Sequence, residues 1–522
     1  MITRRDQAAI GVLALLSLVL GAWRCLGSEY PGLALSVPDD AYYYLLPAWN
    51  FSRIGFFTFD GLHPTFGFQP LWGLLLAGIG ALCPDREVFL RAALFGGEAM
   101  HGATVVVLGL AGWRLGGRTS AAVACGLFLA NLPFLRASTC GMENALYGLL
   151  LALNLLAALP VGAVSRIGAS PPTPASRAVV GLLGSGLLIG LLPFARLTPG
   201  SLAATLVLGA LGVRRRGWPC AIGLCGTLCA GLVAERCLLG HWFPTSGTSK
   251  LQGFVDGLWG LDLSGWLHLA RSMAGYPVSQ LVFGLGLPSV YGYAEKAWWC
   301  APALLVALLA AARSLRRSSL VPLVVLAAAL LASTATPLLL NRRGVELYYY
   351  VWYAVEAPVL LPVIIGAAVG GFSRFERVGA AIAAVGCAAA LVTAEQPLTG
   401  LDTANDSWGT WQRAMWEAAA RANVLVPAGE RIGSFNAGLL GYACDRTVIN
   451  LDGLANDEIL GRTSIYDYVR AQRITWMIDA MPDAGWFGQD RSHFDIVETI
   501  PFQFPGFQGY FIARVNGRPP LP

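Results

Sequence analysis

Charge is what this sequence has least of. Of its 522 residues only 13% are Asp, Glu, Lys or Arg, against 55% apolar ones, and the mean hydropathy is +0.58. So little charge on so apolar a chain excludes an intrinsically disordered protein and argues against a water-soluble one, and no basic patch of the kind nucleic acid requires is present. Lysine is nearly absent, with Lys250 and Lys296 the two among 36 basic residues. Disulfides are also unsupported. The eleven cysteines are an odd number, and most of them (Cys125, Cys220, Cys225, Cys229, Cys237 and Cys387) stand inside apolar runs, where Cys acts as a small hydrophobe. Cys444 is alone in the C-terminal part, which excludes a CxxC metal site there. No repeat period or low-complexity tract is visible.

What is abundant is long apolar runs, which make this a polytopic membrane protein. Runs of about 17–25 residues, enough to span a bilayer, fall at 8–26, 88–112, 119–136, 144–164, 178–196, 218–239, 319–340, 350–371 and 376–394, with shorter ones near 199–213 and 297–312. Short cytoplasmic loops collect Arg and Lys. The clusters Arg4/Arg5, Arg114/Arg118, Arg166/Arg177, Arg214 to Arg216, Arg313/Arg316/Arg317 and Arg374/Arg377 all fall on one side if about eleven helices cross. The N-terminus is then cytoplasmic, with 8–26 as an uncleaved signal anchor, and the chain is expected in a bacterial inner membrane. This parity requires that 68–83 not cross, so 41–54 and 68–83 are read as interfacial helices inside a long first external loop, 27–87. It also puts Asp39, Asp40, Glu143, Arg196, Lys250, Lys296, Arg342 and Arg343 at the external face.

The Pro- and Ser-rich stretch 165–177 reads as a cytoplasmic linker. From about Glu395 the sequence turns soluble in character. β-prone runs at 431–435, 447–450, 475–479, 494–500 and 510–515 alternate with helical patterns at 407–423 and 465–472, which predicts a small external α/β domain over 395–522 beyond a membrane domain over 1–394.

An acid pair stands out in this frame. Asp39 and Asp40 open the string DDAYYYLLPAWN directly after the first span, and ionisable residues at the mouth of a membrane domain are costly unless they serve a function. The first loop adds Tyr43, Asp60, His63 and Gln69 as candidates for substrate contact. Its aromatic residues Tyr42 to Tyr44 and Trp72 have a simpler reading as depth anchors at the interface. Glu143 begins a later span, where an acid also complements the helix dipole. Arg196 and Lys250 sit at external span ends, where basic side chains commonly snorkel. Several cations and acids on one face are what a transfer from a lipid phosphate requires. Asp39, Asp40, Glu143 and His63 also offer the oxygen-rich donors of a divalent-cation site, although the chemistry needs no metal or cofactor. In the C-terminal part GSFNAG reads as a turn rather than a phosphate loop, and Asn450, Asp452 and Asn456 read as turn formers or glycan contacts.

The run DDAYYYLLPAWNFSRIGFFTFDGLHPTFGFQPLW, with GMENALYGLL, ARLTPG, FPTSGTSK, YYYVWY and GSFNAGLLGYACDRTVINLDGL, resembles the GT-C superfamily of membrane glycosyltransferases over nearly the whole chain. The resemblance implies a polyprenyl-phosphate sugar donor, a glycan, lipid or protein acceptor, and inverting transfer outside the membrane. It implies a first-loop Asp as general base, Asp39 ahead of Asp40, with Glu143 as a second acid of the site. The donor phosphate falls to Lys250, Arg196, Arg342 and Arg343, and substrate contact extends to Tyr349 and Tyr353. Phe66 and Thr198 depart from the pattern, in which Asn and Asp stand at those places. Two rival readings keep the same sequence features: a lipid-linked glycan transporter, for which Glu98, His101, Glu235, Arg236 and Glu356 are the in-span charges, and an inactive membrane scaffold.

Overall fold

The computed structural model describes residues 3–159, 175–240, 242, 244, 262–285, 320–336, 355–370, 376–392, 407–459, 464–482, 494–502 and 507–516. Lys250, Lys296, Arg342, Arg343, Tyr349 and Tyr353 lie outside the described residues, as do the run near 297–312 and most of the linker at 165–177.

Helix α1 (Arg4–Gly27) starts from a capping box between Thr3 and Asp6. After the first loop comes α5 (Arg86–Ala130), in which the two expected spans at 88–112 and 119–136 are the arms of one hairpin. It folds back at Gly116 and Gly117, the latter at φ 73°, a conformation that favours glycine. The arms touch closely enough that a Cβ on Gly112 would lie 2.8 Å from the Ser120 carbonyl oxygen. Arg24 and Glu98 form a buried 3.1 Å ion pair between α1 and α5, and one turn on His101 meets Ser17 at 3.1 Å and stacks on Phe128. The bundle continues through α6 (Leu132–Ser138), α7 (Asn144–Ala158), α8 (Ala175–Gly190), α9 (Leu192–Ala195), α10 (Pro199–Arg216) and α11 (Trp218–Leu239). Among the described residues three helices are long and apolar enough to cross a membrane, Arg4–Gly27, Arg86–Ala130 and Trp218–Leu238, and several shorter apolar helices pack beside them.

The sequence places no span between 239 and 297, yet α12 (Leu263–Gly284) lies there, with Ser272, Tyr276, Ser279 and Gln280 buried. These polar residues dilute the apolar signal because they face protein rather than lipid. Next come α13 (Leu320–Ser333), α14 (Glu356–Gly370) and α15 (Glu376–Val392).

Two ends of the bundle are distinguishable. At one end Arg118 Nε donates to Asp6 Oδ1 at 2.7 Å, Arg114 to the Leu156 carbonyl and Arg215 to the Ala158 carbonyl. Arginines there satisfy the orphan carbonyls of a helix C-terminus and favour its negative dipole end. The other end carries the first loop, with α2 (Tyr30–Leu35), α3 (Asp39–Ile54) and α4 (Pro70–Ala81) close to the expected bounds.

The C-terminal part holds α16 (Ser407–Leu425), β1 (Arg431–Ser434), α17 (Gly438–Ala443), β2 (Thr447–Asn450), α18 (Ile465–Ala471), β3 (Ile474–Pro482), β4 (Phe494–Ile500) and β5 (Phe507–Val515). The strands lie in the order β2-β1-β3-β5-β4, with β1 parallel to both of its neighbours and β5 antiparallel to β3 and β4. The carboxyl ends of β1, β2 and β3 therefore emerge side by side, and those of β1 and β2 meet Tyr43 of the first loop.

Candidate active site

The first loop is clamped by helices and a loop of the C-terminal part. Arg86 donates to the Tyr442 carbonyl at 2.7 Å while Tyr442 Oη donates back to the Arg86 carbonyl at 2.6 Å, and Gln412 Nε2 donates to the Val37 carbonyl at 2.5 Å. The approach at Gly67 leaves no room for a side chain, since a Cβ there would sit 1.7 Å from the Leu454 carbonyl oxygen.

This contact corrects the expectation for Tyr42 to Tyr44 and Trp72 as interface anchors. All four are buried in protein. Tyr42 Oη donates to the Ala34 carbonyl at 2.8 Å and its ring lies 4.9 Å from that of Tyr442, while Trp72 Nε1 donates to the Gly141 carbonyl at 2.9 Å. Tyr43 Oη accepts from Ala437 N–H at 3.0 Å and from Asn450 Nδ2 at 3.1 Å.

Asp39 stands at the start of α3, after Pro38, and is partly buried. Its Oδ1 accepts a 2.6 Å hydrogen bond from Leu439 N–H, and among the described residues Oδ2 has no hydrogen-bond partner. Burial pushes the Asp39 carboxyl up to about 7, partly offset by the Leu439 hydrogen bond, with the neighbouring charges of Asp40, Asp479 and Asp452 adding to the rise. A carboxylate held by one oxygen, with the other open and a pKa near neutrality, has the properties of a general base.

GSFNAG is a turn, as expected, but it also builds this site. Residues 435–439 run from the end of β1 across the top of α3. A Cβ on Gly438 would lie 2.3 Å from the Asp39 carbonyl oxygen, so only glycine allows the approach.

Glu143 and Arg196 come together. Arg196 Nη1 meets Glu143 Oε1 at 2.9 Å and also donates to Asn144 Oδ1, with both charged side chains almost fully buried. Beside them Tyr147 Oη donates to Glu356 Oε1 at 2.9 Å, and Gly200 packs against that carboxylate. The N-terminal ends of α7, α10 and α14 thus converge on one polar cluster, where their positive dipole ends favour acids. Gln69 joins the first loop to this cluster through Oε1, which accepts from Leu197 N–H at 3.0 Å. Thr198 caps α10 by accepting from Ser201 N–H at 3.2 Å, a task the Asp expected there would serve equally well.

Asp60 and His63 bind each other. Asp60 Oδ2 meets His63 Nδ1 at 2.6 Å, Oδ1 accepts from the amides of Leu62 and His63 at 2.8 Å, and His63 Nε2 faces Glu458 Oε2 at 3.7 Å across the contact with the C-terminal part. Three of the four donors considered for a divalent cation have other partners: Glu143 has Arg196, His63 has Asp60, and Asp39, next to Asp40, has Leu439 N–H. Among the described residues no three His, Cys, Asp or Glu side chains are grouped as a metal site.

A mostly apolar cavity of about 270 Å³ opens between α4, α9 and α11, lined by Phe57, Phe68, Leu191, Phe194, Leu238 and the carboxyl of Glu235. Phe68 and Phe194 place its wall one and two residues from Gln69 and Arg196.

Comparison with known proteins adds three findings. A family model described as a domain of unknown function, DUF8728, matches residues 405–513. No curated protein matches the sequence. Two crystal structures of ArnT from Cupriavidus metallidurans are similar over the whole chain at 13% identity. The apo form has a TM-score of 0.57 and covers 97% of this chain and 98% of that one; the form bound to undecaprenyl phosphate has a TM-score of 0.55 and covers 96% and 97%. The fold of this chain is similar to that of ArnT.

Proposed function

We propose that the chain transfers a sugar from a polyprenyl-phosphate donor to an acceptor hydroxyl, with inversion, at the end of the bundle where the first loop meets the C-terminal sheet. The observation that carries this reading is the Asp39 carboxylate, fixed through Oδ1 by Leu439 N–H and open at Oδ2. In the transfer the acceptor oxygen bonds to the anomeric carbon as the bond from that carbon to the phosphate oxygen breaks. Asp39 takes the acceptor proton, and the lipid phosphate leaves with the electron pair. A positioned base contributes about 10²–10⁴-fold to such a step.

The other assignments support the same centre. Asp40 is the second candidate base. Arg196 lies beside the cavity, and the leaving phosphate gains from it and from Lys250, Arg342 and Arg343. Glu143 holds Arg196 in place, while the cavity takes the first isoprenoid units of the carrier. Tyr43, Asp60, His63 and Gln69 shape the loop that meets the sugar, together with Tyr349 and Tyr353. The solved ArnT complex with undecaprenyl phosphate makes a lipid-phosphate donor the natural first choice. Glu356, the in-span acid that the transporter reading would use, begins α14 and accepts a hydrogen bond from Tyr147 at 2.9 Å.

The test incubates the purified protein in nanodiscs with radiolabelled undecaprenyl- and decaprenyl-phosphate sugars, comparing wild type with Asp39→Asn and Asp40→Asn. Sugar release by wild type and its loss in Asp39→Asn is the expected result. Full activity in both variants, or no donor consumed by wild type, overturns the proposal.

A further inference from the structure

Asp479 is fully enclosed in β3, 1% exposed, yet among the described residues it is an acid with no cation in contact. Its partners are all hydrogen-bond donors. Oδ2 accepts from Phe435 N–H at 2.5 Å, Asn436 N–H at 2.9 Å and Ser434 Oγ at 3.1 Å, while Oδ1 accepts from Asn436 Nδ2 at 3.2 Å and Ala480 N–H at 2.6 Å. Three of these five bonds come from the turn that follows β1 and a fourth from Ser434, the last residue of that strand. The donors along that turn then divide among two acids and a tyrosine. The amides of 435 and 436 point to Asp479, that of Ala437 to Tyr43 Oη, and that of Leu439 to Asp39 Oδ1.

We propose that Asp479 is a positioning residue for the transfer reaction, fixing the 434–437 turn so that Leu439 N–H holds the Asp39 carboxylate with its second oxygen free. The inference rests on Asp39 being the base and gives the C-terminal part a share in the active site. In parallel sheets the crevice beyond the carboxyl strand ends is where ligands bind. Here that crevice receives the base-bearing loop. A structural role would be met by any residue that stabilises the sheet, but an acid at this place costs desolvation that an apolar residue avoids. The turn's amides account for the acid, because only a two-oxygen acceptor meets five donors at once.

The groups facing Asp39 are Asp40, Tyr42 and Tyr43 from its own helix, and Asp479, Asp452 and Tyr510 from the C-terminal part. Removing the Asp479 charge therefore makes Asp39 a weaker base, and removing its hydrogen bonds lets the carboxylate swing.

Two variants separate these effects. Asp479→Asn keeps one acceptor oxygen, and the acidic limb of its kcat/KM profile moves to lower pH. Asp479→Ala releases the turn, and kcat falls about 10- to 100-fold, the cost of misplacing a reacting group by about an ångström, while the donor KM stays within about twofold. Amide hydrogen exchange of residues 435–439 is read in parallel and accelerates in Asp479→Ala whether or not a donor is present. If Asp479→Ala is too unstable to assay, Asn436→Ala, which removes one of the bonds, shows a smaller loss of kcat in the same direction. Wild-type kcat and an unmoved pH profile in Asp479→Asn, with unchanged exchange in Asp479→Ala or Asn436→Ala, overturn the inference. Full activity of Asp39→Asn instead overturns the reading beneath it, so the two failures are distinguishable.

Discussion

The phenol oxygen of Tyr43 accepts the backbone N–H of Ala437 at 3.0 Å, nearly four hundred residues away in sequence. The bond is buried, and Ala437 has no other acceptor for its amide among the described residues. Tyr43→Phe leaves that donor unsatisfied, at a cost of about 1–3 kcal/mol. The variant is expected to melt earlier and to expose the 434–439 turn to hydrogen exchange. Tyr42→Phe loses a bond to Ala34 within the loop and leaves exchange of that turn unchanged. Equal exchange of the turn in both variants would mean that Tyr43 does not anchor the two parts.

Asp39 gives a pH dependence with a definite sign. Its carboxyl is pushed up to about 7 by burial, from an ordinary value of about 3.9. Deprotonating it costs more in the folded chain than in the unfolded one, so its effect on stability is most favourable below about pH 4 and declines as pH rises towards 7. The base must be ionised to work, and transfer rises over the same interval in which stability declines. Asp39→Asn removes the ionisation while its amide oxygen still accepts from Leu439. It is expected to melt at or above the wild-type temperature at pH 8 and to lose transfer by about 10²-fold or more. A lower melting temperature together with retained transfer would remove Asp39 from the chemistry.

How far the sequence reveals this arrangement differs from one residue to the next. Asp39 and Asp40 stand out because acids beside an apolar span need a reason, and the helices at 39–54 and 70–81 follow from local pattern. The strands of the C-terminal sheet are legible for the same local reason. GSFNAG is readable only as a turn, since its partner Asp39 is brought to it by the tertiary fold. Tyr42 to Tyr44 look like membrane anchors because side-chain type does not distinguish lipid from a docked sheet. Asp479 carries no signal in sequence, as an acid in an otherwise apolar strand has no visible partner until β1 lies beside it.

The Glu143 and Arg196 pair tests whether two residues assigned separate roles act as one. Both side chains are almost fully buried at 2.9 Å. Removing Arg196 alone strands a buried carboxylate, which costs about 3–5 kcal/mol. Removing both leaves no orphan charge. The double variant Glu143→Ala/Arg196→Ala is therefore expected to be clearly less destabilised than the sum of the two single variants, with a coupling of at least about 1 kcal/mol in denaturant unfolding. Additive losses would separate the residues energetically and leave Arg196 available as an independent phosphate ligand.

Asp60 and His63 set a second pH window, at the other margin of the contact. The hydrogen bond His63 donates to Asp60 raises the imidazole pKa, with burial opposing and the charges of Asp60 and Glu458 adding to it. Burial raises the Asp60 carboxyl, but the side-chain and backbone hydrogen bonds of His63, with that of Leu62, outweigh it and hold the carboxyl below its ordinary value. The imidazole contribution is fully present below its unfolded pKa of about 6.5 and is lost as pH rises through the higher folded value. The carboxylate contribution is present above about 3.9 and is lost as pH falls through the lower folded value. Both act between about pH 4 and 6.5, where protonated His63 also attracts Glu458 at 3.7 Å across the contact. The first loop and the C-terminal part are thus held most firmly at mildly acidic pH and loosen above it. His63→Gln retains a polar side chain without the charge, and the acid-side gain in melting temperature should shrink in it to the part that Asp39 supplies. A wild-type pH profile of melting in His63→Gln would show that this pair contributes nothing to the contact.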